Sequence, residues 1–177
     1  WNGSTVIEQL LTALRRPEIV AVCVVVRPND VELQSVLSRT TAIVIVPDHA
    51  PPDMRDSVEL GLDAIREQFR PAADDSWLLI PADHPLIEPE VLDGLLQRWS
   101  INDCHALVPK FGDHRGHPTL LSWSLAEQVK QLPHDVGINT LLRSSPNLVT
   151  EWPTDHESVL ADLDTPEDYA RWQERLA

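Results

Sequence analysis

The sequence predicts an α/β domain with a mainly parallel sheet and helices on both faces. Three observations predict it. Short apolar, β-branched runs alternate with segments of helical period through the first half of the chain. The runs are apolar at successive residues, as in strands covered on both sides. The chain has 177 residues, 42% of them hydrophobic, which is enough for one ordinary core and too little for two.

Each element has a local reason. Ser4 to Arg16 reads as a helix: Thr5 and Glu8 are spaced as a capping box, and Ile7, Leu10, Leu11 and Leu14 form one apolar face. Ile19 to Val26 is a continuous β-branched run and reads as a buried strand. Asp30 caps a helix to about Ser38, with Leu33, Val36 and Leu37 inward. Ala42 to Val46 is a second strand. Asp53 or Asp56 starts a helix to about Phe69, and Trp77 to Ile80 is a third strand after the loop Arg70–Ser76. Glu88 to Trp99 is amphipathic, with Val91, Leu92, Leu95, Leu96 and Trp99 on one side.

In the second half, Ala106–Pro109 and Thr119–Ser122 read as strands flanking the polar loop Lys110–Pro118. Helices come next, near Ser124–Leu132 and Val136–Arg143. Leu148–Glu151 and Ser158–Leu163 read as strands. Thr165-Pro166-Glu167-Asp168 opens a final helix: threonine caps, proline fits the first position, and aspartate suits the first turn. The chain shows no repeat, low-complexity tract or linker.

Charge narrows the partners. The formal net charge is −14, and Lys110 and Lys130 are the only lysines. Such a surface repels nucleic-acid phosphates, so no nucleic-acid partner is expected. A phosphate ligand needs a cation, arginine, or the backbone amides of a helix start. Cys23 and Cys104 lie far apart and suggest neither a disulfide framework nor a zinc knuckle. No apolar stretch approaches a membrane span, and no signal-peptide pattern opens the chain. A soluble cytoplasmic protein without membrane contact is expected.

In open parallel sheets, ligands bind outside the carboxyl ends of the strands. Asp83 stands just past such an end, and Pro81 and Pro85 stiffen its turn. Mg²⁺ takes one or two protein carboxylates and leaves its other positions to phosphate and water. A turn or capping role suits Asp83 equally by position alone. Asp162 and Asp164 would share one face of a strand, although Asp164 also suits a cap for the last helix. In the loop Gly112-Asp113-His114-Arg115-Gly116-His117-Pro118, the glycines permit close backbone approach and Arg115 suits a phosphate. A solvated hairpin tip is the plainer reading. The spacing of His105, His114 and His117 fits no strand or helix ligand set. No Gly-x-Ser-x-Gly or Cys/His nucleophile arrangement is present.

Four ordered blocks resemble the MobA-like NTP transferases, particularly the molybdopterin cytidylyltransferase branch. Met54-Arg55-Asp56-Ser57-Val58-Glu59-Leu60-Gly61 is similar to a block near the nucleotide base. Ala82-Asp83-His84-Pro85-Leu86-Ile87 is similar to the family's metal block. Arg115-Gly116-His117-Pro118 resembles its substrate-side Gly-His-Pro loop. Ala161-Asp162-Leu163-Asp164-Thr165-Pro166-Glu167-Asp168-Tyr169 resembles its closing block.

The resemblance implies a three-layer α/β/α fold of the nucleotide-diphospho-sugar transferase type, GT-A-like and Rossmann-like. It implies Mg²⁺ or Mn²⁺ held by Asp83 and Asp162, which would be the catalytic carboxylates. It implies transfer of an NMP group, CMP from CTP, to a phosphate on molybdopterin with release of pyrophosphate. Ser57 and Asp83 become nucleotide contacts, and Arg115, Gly116 and His117 acceptor contacts. The alternatives are a sugar-phosphate nucleotidyltransferase, a glycosyltransferase of related fold using Asp162-Leu163-Asp164, or an inactive nucleotide-binding protein of the same fold.

Three departures qualify the resemblance. Residues 1–177 read as a single nucleotidyltransferase domain that lacks the family's first strand and glycine-rich phosphate-binding loop, since Trp1-Asn2-Gly3 resembles the family's Trp-x-Gly just after that loop. Its loss would open the sheet between the strands at Ile19 and Trp77. The segment is expected in the gene product, and little catalysis is expected without it. Asp53 stands where the family has glycine. In His134-Asp135-Val136-Gly137-Ile138-Asn139, asparagine stands where the family has arginine, which bears on the acceptor more than on the nucleotide.

Overall fold

The structure is a computed structural model and describes residues 3–84, 86–101, 104–133 and 136–175. Trp1, Asn2, Pro85, His134 and Asp135, on which parts of the sequence reading rest, lie outside the described residues. In chain order the elements are α1 (Val6–Ala13), β1 (Cys23–Val25), α2 (Val31–Leu37), β2 (Ile43–Ile45), α3 (Met54–Phe69), β3 (Ser76–Leu79) and α4 (Pro89–Ile101). They continue with β4 (Ala106–Phe111), β5 (His114–Arg115), β6 (Thr119–Ser122), α5 (Ala126–Lys130), α6 (Ile138–Ser144), β7 (Val149–Pro153) and α7 (Pro166–Arg175). No described helix is long and apolar enough to cross a membrane.

The chain forms two compact units, each assembled from separate stretches. One holds Trp1–Arg15, Trp77–Leu121 and Asn147–Ala177; the other holds Arg16–Ser76 and Ser122–Pro146.

The second unit carries a parallel pair, β1 and β2, in register from Cys23 opposite Ile43 to Val25 opposite Ile45. The strand read over Ile19–Val26 is shorter than its apolar run. Val20 is 85% exposed, so apolar sequence alone did not fix where pairing begins. Asp30 caps α2 by accepting from Leu33 N–H at 3.0 Å. Asp53 caps α3 by accepting from Asp56 N–H at 3.0 Å. That explains an aspartate at the position where glycine is usual: it satisfies an orphan amide of the helix start. Leu62 of α3, Leu37 of α2 and Val129 of α5 are fully buried.

Two polar side chains are buried among the described residues of this unit, Arg55 and Ser122. Arg55 is 5% exposed, and its Nη1 donates to the carbonyls of Leu132 and Pro133 at 2.9 and 2.6 Å. Its Nε lies 2.9 Å from Glu59 Oε1, one turn along α3. The guanidinium fork suits several acceptors held at fixed angles, so it ties α3 to the chain after α5.

In the first unit, β3, β6 and β4 are successive neighbours in a five-stranded mixed sheet. β4 pairs antiparallel with β6 and β5, and parallel with β7. Val91 and Leu95 of α4 pack with Leu107, Leu120 and Val159 in a continuous apolar cluster. Gly94 lets α4 approach the Trp152 ring, where an added Cβ would meet the indole at 2.6 Å. Thr5 and Glu8 form the expected capping box on α1. Thr165 and Asp168 do the same on α7: Thr165 Oγ1 accepts from Asp168 N–H, and Asp168 Oδ2 accepts from Thr165 N–H, both at 3.1 Å.

One predicted element is absent in kind. Ser158–Leu163 is not a strand: Glu157–Leu160 is a 3-10 turn, followed by irregular backbone through Asp164. Asp162 and Asp164 therefore do not owe their placement to a β-ladder.

Candidate active site

The site begins where β3 ends. Trp77 is buried and anchors that strand. A turn then closes as His84 N–H donates to the Pro81 carbonyl at 3.0 Å. The turn lifts the Asp83 side chain toward solvent, 52% exposed, while His84 beside it is 20% exposed. From the other side, Leu163 N–H donates to the Asp83 carbonyl at 2.8 Å. That bond lays Asp162-Leu163-Asp164 along the Asp83 turn. Asp162 is half-buried and Asp164 is exposed.

The hairpin loop joins the same place. Gly112 turns the tip at φ +57°, in the left-handed region that glycine tolerates. Gly116 N–H donates to the Pro109 carbonyl and His117 N–H to the Val159 carbonyl, each at 2.8 Å. A Cβ on Gly116 would lie 2.2 Å from Val159 O, so only glycine permits this approach. The two backbone bonds from Val159 and Leu163 stitch three blocks of the sequence together: the Asp83 turn, Gly116-His117 and Asp162.

Two imidazoles meet there. The rings of His84 and His117 are 4.7 Å apart at 61°, edge to face. Burial lowers the His117 pKa to about 4; the nearby His84 adds to this, while Asp83 and a hydrogen bond to Leu79 oppose it. His117 is therefore neutral near pH 7. Nδ1 of each ring is buried without a hydrogen-bond partner among the described residues. Sequence reasoning passed over His84. Its signal was its place next to a candidate ligand at a strand exit.

Arg115 is not idle. Its Nε donates to Glu151 Oε1 at 2.8 Å, while Lys110 Nζ donates to Glu151 Oε2 at 3.0 Å. These hydrogen bonds, Lys110's first, hold the Glu151 carboxyl below its usual pKa. Glu88 Oε2 lies 2.7 Å from His156 Nδ1 and joins the start of α4 to the chain ahead of the 3-10 turn. Ser57 lies in the other unit, in the first turn of α3, where its hydroxyl donates to the Asp53 carbonyl at 3.2 Å. Asn139 is exposed in the first turn of α6.

A cavity of about 390 Å³ lies elsewhere in the first unit, lined by residues including Arg98, Ile101, Trp152 and Pro153. Arg98 stacks over Trp152 at 4.4 Å. It has no titratable cluster suited to group transfer: its carboxylate, Glu151, is already held by Lys110 and Arg115. Among the described residues no group of three or more His, Cys, Asp or Glu is arranged to hold a metal ion. A site of two carboxylates completed by phosphate and water falls below that number and is the usual way Mg²⁺ is bound. Asp83 and Asp162, on adjoining segments, carry oxygen donors of the type such an ion takes.

The fold and these blocks define a nucleotidyltransferase-type enzyme. The family model of the MobA-like NTP transferase domain matches residues 1–149, and the chain belongs to that family. No curated protein matches the sequence. Among solved structures, Rv0371c from Mycobacterium tuberculosis H37Rv is similar at a TM-score of 0.80 and 21% identity, over 98% of this chain and 86% of that one. Rv0371c has also been solved in complex with manganese. A 4-diphosphocytidyl-2C-methyl-D-erythritol synthase is similar at 0.76 and 17% identity, over 98% and 91%. The molybdopterin-guanine dinucleotide biosynthesis protein A of Archaeoglobus fulgidus is similar at 0.66 and 22%, over 98% and 86%. These likenesses establish the shared α/β, Rossmann-like fold.

Proposed function

We propose that this chain is a divalent-metal-dependent nucleotidyltransferase that moves CMP from CTP to a phosphate on molybdopterin. An oxygen of the acceptor phosphate forms a bond to the α-phosphorus. The bond from that phosphorus to the bridging oxygen breaks, and pyrophosphate leaves. The observation that carries the reading is the Leu163 to Asp83 backbone bond, which sets the Asp162 segment beside the Asp83 turn.

Asp83 and Asp162 would hold Mg²⁺ or Mn²⁺, and the manganese complex of Rv0371c supports a divalent ion. When bound, the ion supplies charge neutralisation on the triphosphate. The chain supplies position. The closed turn fixes the Asp83 backbone, so its carboxylate needs little reorganisation to bind. His117 is the proposed contact to the acceptor, and, kept neutral by burial, it adds no charge beside that phosphate. Arg115 would leave Glu151 to pair with that phosphate. Ser57 is the proposed contact to the nucleotide.

A sugar- or polyol-phosphate acceptor is the second reading. Similarity to the 4-diphosphocytidyl-2C-methyl-D-erythritol synthase favours it, as does neutral Asn139 where the family has arginine. Pyrophosphate release tests both. The full-length protein is assayed with CTP, GTP, ATP or UTP against molybdopterin and a panel of sugar phosphates, with Mg²⁺ or Mn²⁺. Turnover with CTP and molybdopterin is expected. Turnover with a sugar phosphate alone moves the acceptor to the second reading, and no turnover with any pair defeats the enzyme reading.

A further inference from the structure

We propose that His84 is a second-type ligand of the cation at Asp83, so that the site is a mixed nitrogen and oxygen one that selects first-row transition ions such as Mn²⁺ over Mg²⁺. The inference rests on the proposed metal role of Asp83 and adds the class of ion. Both residues belong to one turn, closed by His84 N–H on the Pro81 carbonyl and pinned by Leu163 N–H on the Asp83 carbonyl. His84 Nε2 lies 4.0 Å from Asp83 Oδ1. That is too long for a direct hydrogen bond. With bonds of about 2.1 Å, an ion between them would hold the two donors on nearly opposite sides.

Exposure orders the two donors. The imidazole is mostly covered and the carboxylate is half open to solvent. An ion between them would sit on the protein side of Asp83 and keep its outward positions for phosphate oxygen and water. The edge contact with His117 holds the His84 ring plane. Nδ1 of His84 is buried, which leaves Nε2 as the ring nitrogen facing the carboxylate.

An imidazole changes which ion wins. Mg²⁺ prefers an all-oxygen shell and gives up water reluctantly. A nitrogen donor raises affinity along the series from Mn²⁺ toward the later divalent ions. Mg²⁺ gains least from it.

The test is binding of the metal alone to the full-length protein. Mn²⁺ is titrated into wild type, His84→Gln and His117→Asn, and the bound ion is read by electron spin-echo spectroscopy, which detects a directly coordinated nitrogen. Nitrogen modulation is expected in wild type and in His117→Asn, and its loss in His84→Gln. The Mn²⁺ Kd of His84→Gln is expected to rise by about tenfold or more, with the Mg²⁺ Kd little changed. Bound Mn²⁺ with no nitrogen modulation in wild type overturns the inference and leaves the carboxylate site standing. Modulation lost in His117→Asn but kept in His84→Gln assigns the nitrogen to His117 and overturns it too. If His84→Gln fails to fold, the wild-type and His117→Asn spectra decide. Wild type that binds no Mn²⁺ at all overturns both this inference and the metal reading beneath it.

Discussion

Leu163 donates its backbone N–H to the Asp83 carbonyl at 2.8 Å, and so a residue between two aspartates holds the turn that carries a third. The bond uses main-chain atoms only. The Asp83 carboxylate is left half exposed and free to serve a ligand. A side chain that contributes to chemistry rather than packing can be changed without loss of the fold.

Asp83→Asn is therefore expected to abolish most turnover while the protein melts as wild type does. The substitution keeps shape and removes the charge that a hard cation requires. Stability should change by no more than about 0.5 kcal/mol, as for exposed positions generally. Activity should fall by about a hundredfold or more, the scale seen when an electrostatic contact to the transferring group is lost. Pyrophosphate release and a thermal melt on the same sample check this. Full activity in the variant would remove Asp83 from the metal site.

His117 predicts a pH dependence of stability. Its pKa is about 4 in the folded chain against 6.5 for an unperturbed histidine. The unfolded chain therefore takes up the proton first. The stabilisation is whole above pH 6.5 and is lost progressively as pH falls from 6.5 to about 4. The full loss is roughly 3 kcal/mol on the scale of 1.36 kcal/mol per unit. Urea midpoints across that window should fall in wild type and flatten in His117→Asn. Parallel curves for the two proteins would show that the ring is not buried neutral.

Arg55 predicts a structural cost in the other unit. Its guanidinium donates to the Leu132 and Pro133 carbonyls and pairs with Glu59. Arg55→Ala removes those donors and leaves part-buried acceptors and the Glu59 carboxylate without their partner, for an expected loss of about 1–3 kcal/mol. Arg55→Lys keeps the charge but not the fork and should fall between. Denaturant titration measures both. A loss under about 0.5 kcal/mol in Arg55→Ala would mean that the acceptors find water instead.

The pattern of what the sequence disclosed tracks the range of the forces involved. The caps at Thr5, Asp30 and Thr165 were readable because an N-cap is settled within four residues, and Asp53 was one of the two starts open for α3, the other being Asp56. The helix at α4 was readable because its apolar stripe repeats over three turns. Strand limits were harder. The run from Ile19 is apolar throughout, but β2 offers only Ile43–Ile45 as partners, so the ladder is as short as its shorter strand. Ser158–Leu163 holds a short apolar run such as a strand has, but there the chain must receive His117 N–H at Val159 and then supply Leu163 N–H to Asp83. Those are demands from distant residues, and the chain meets them with a 3-10 turn. Arg55 was invisible for the same reason, since nothing local distinguishes a buried arginine in a helix's first turn. The nearness of Asp83, Gly116 and Asp162 came only from resemblance, because no local rule joins them.

Gly116 tests that long-range packing directly. Its Cα faces the Val159 carbonyl so closely that an added Cβ would lie 2.2 Å from the oxygen. Gly116→Ala must push the hairpin away from the 3-10 turn and weaken the His117 to Val159 hydrogen bond. A cost of about 1–3 kcal/mol is expected, as for other overpacking substitutions. Activity should drop with it, because His117 moves with its backbone. An alanine variant as stable as wild type would show that the two segments are less closely joined.

Arg115 and Glu151 give the sharpest test of the acceptor side. In the free protein Glu151 holds both Arg115 and Lys110. An acceptor phosphate that recruits Arg115 must first compete with that carboxylate. Glu151→Gln weakens the competitor and leaves the cation in place, so the acceptor KM should fall by about two- to fivefold, the scale of an exposed ion pair. Arg115→Ala should raise the acceptor KM with kcat nearly unchanged, since a contact made equally in the ground and transition states moves KM alone. The KM for the nucleotide should respond to neither. The opposing signs separate recruitment of Arg115 from a general effect on the hairpin, which would shift both variants the same way. If Arg115→Ala left the acceptor KM where it was, the arginine would be a strut for the sheet, paired with Glu151 in every state.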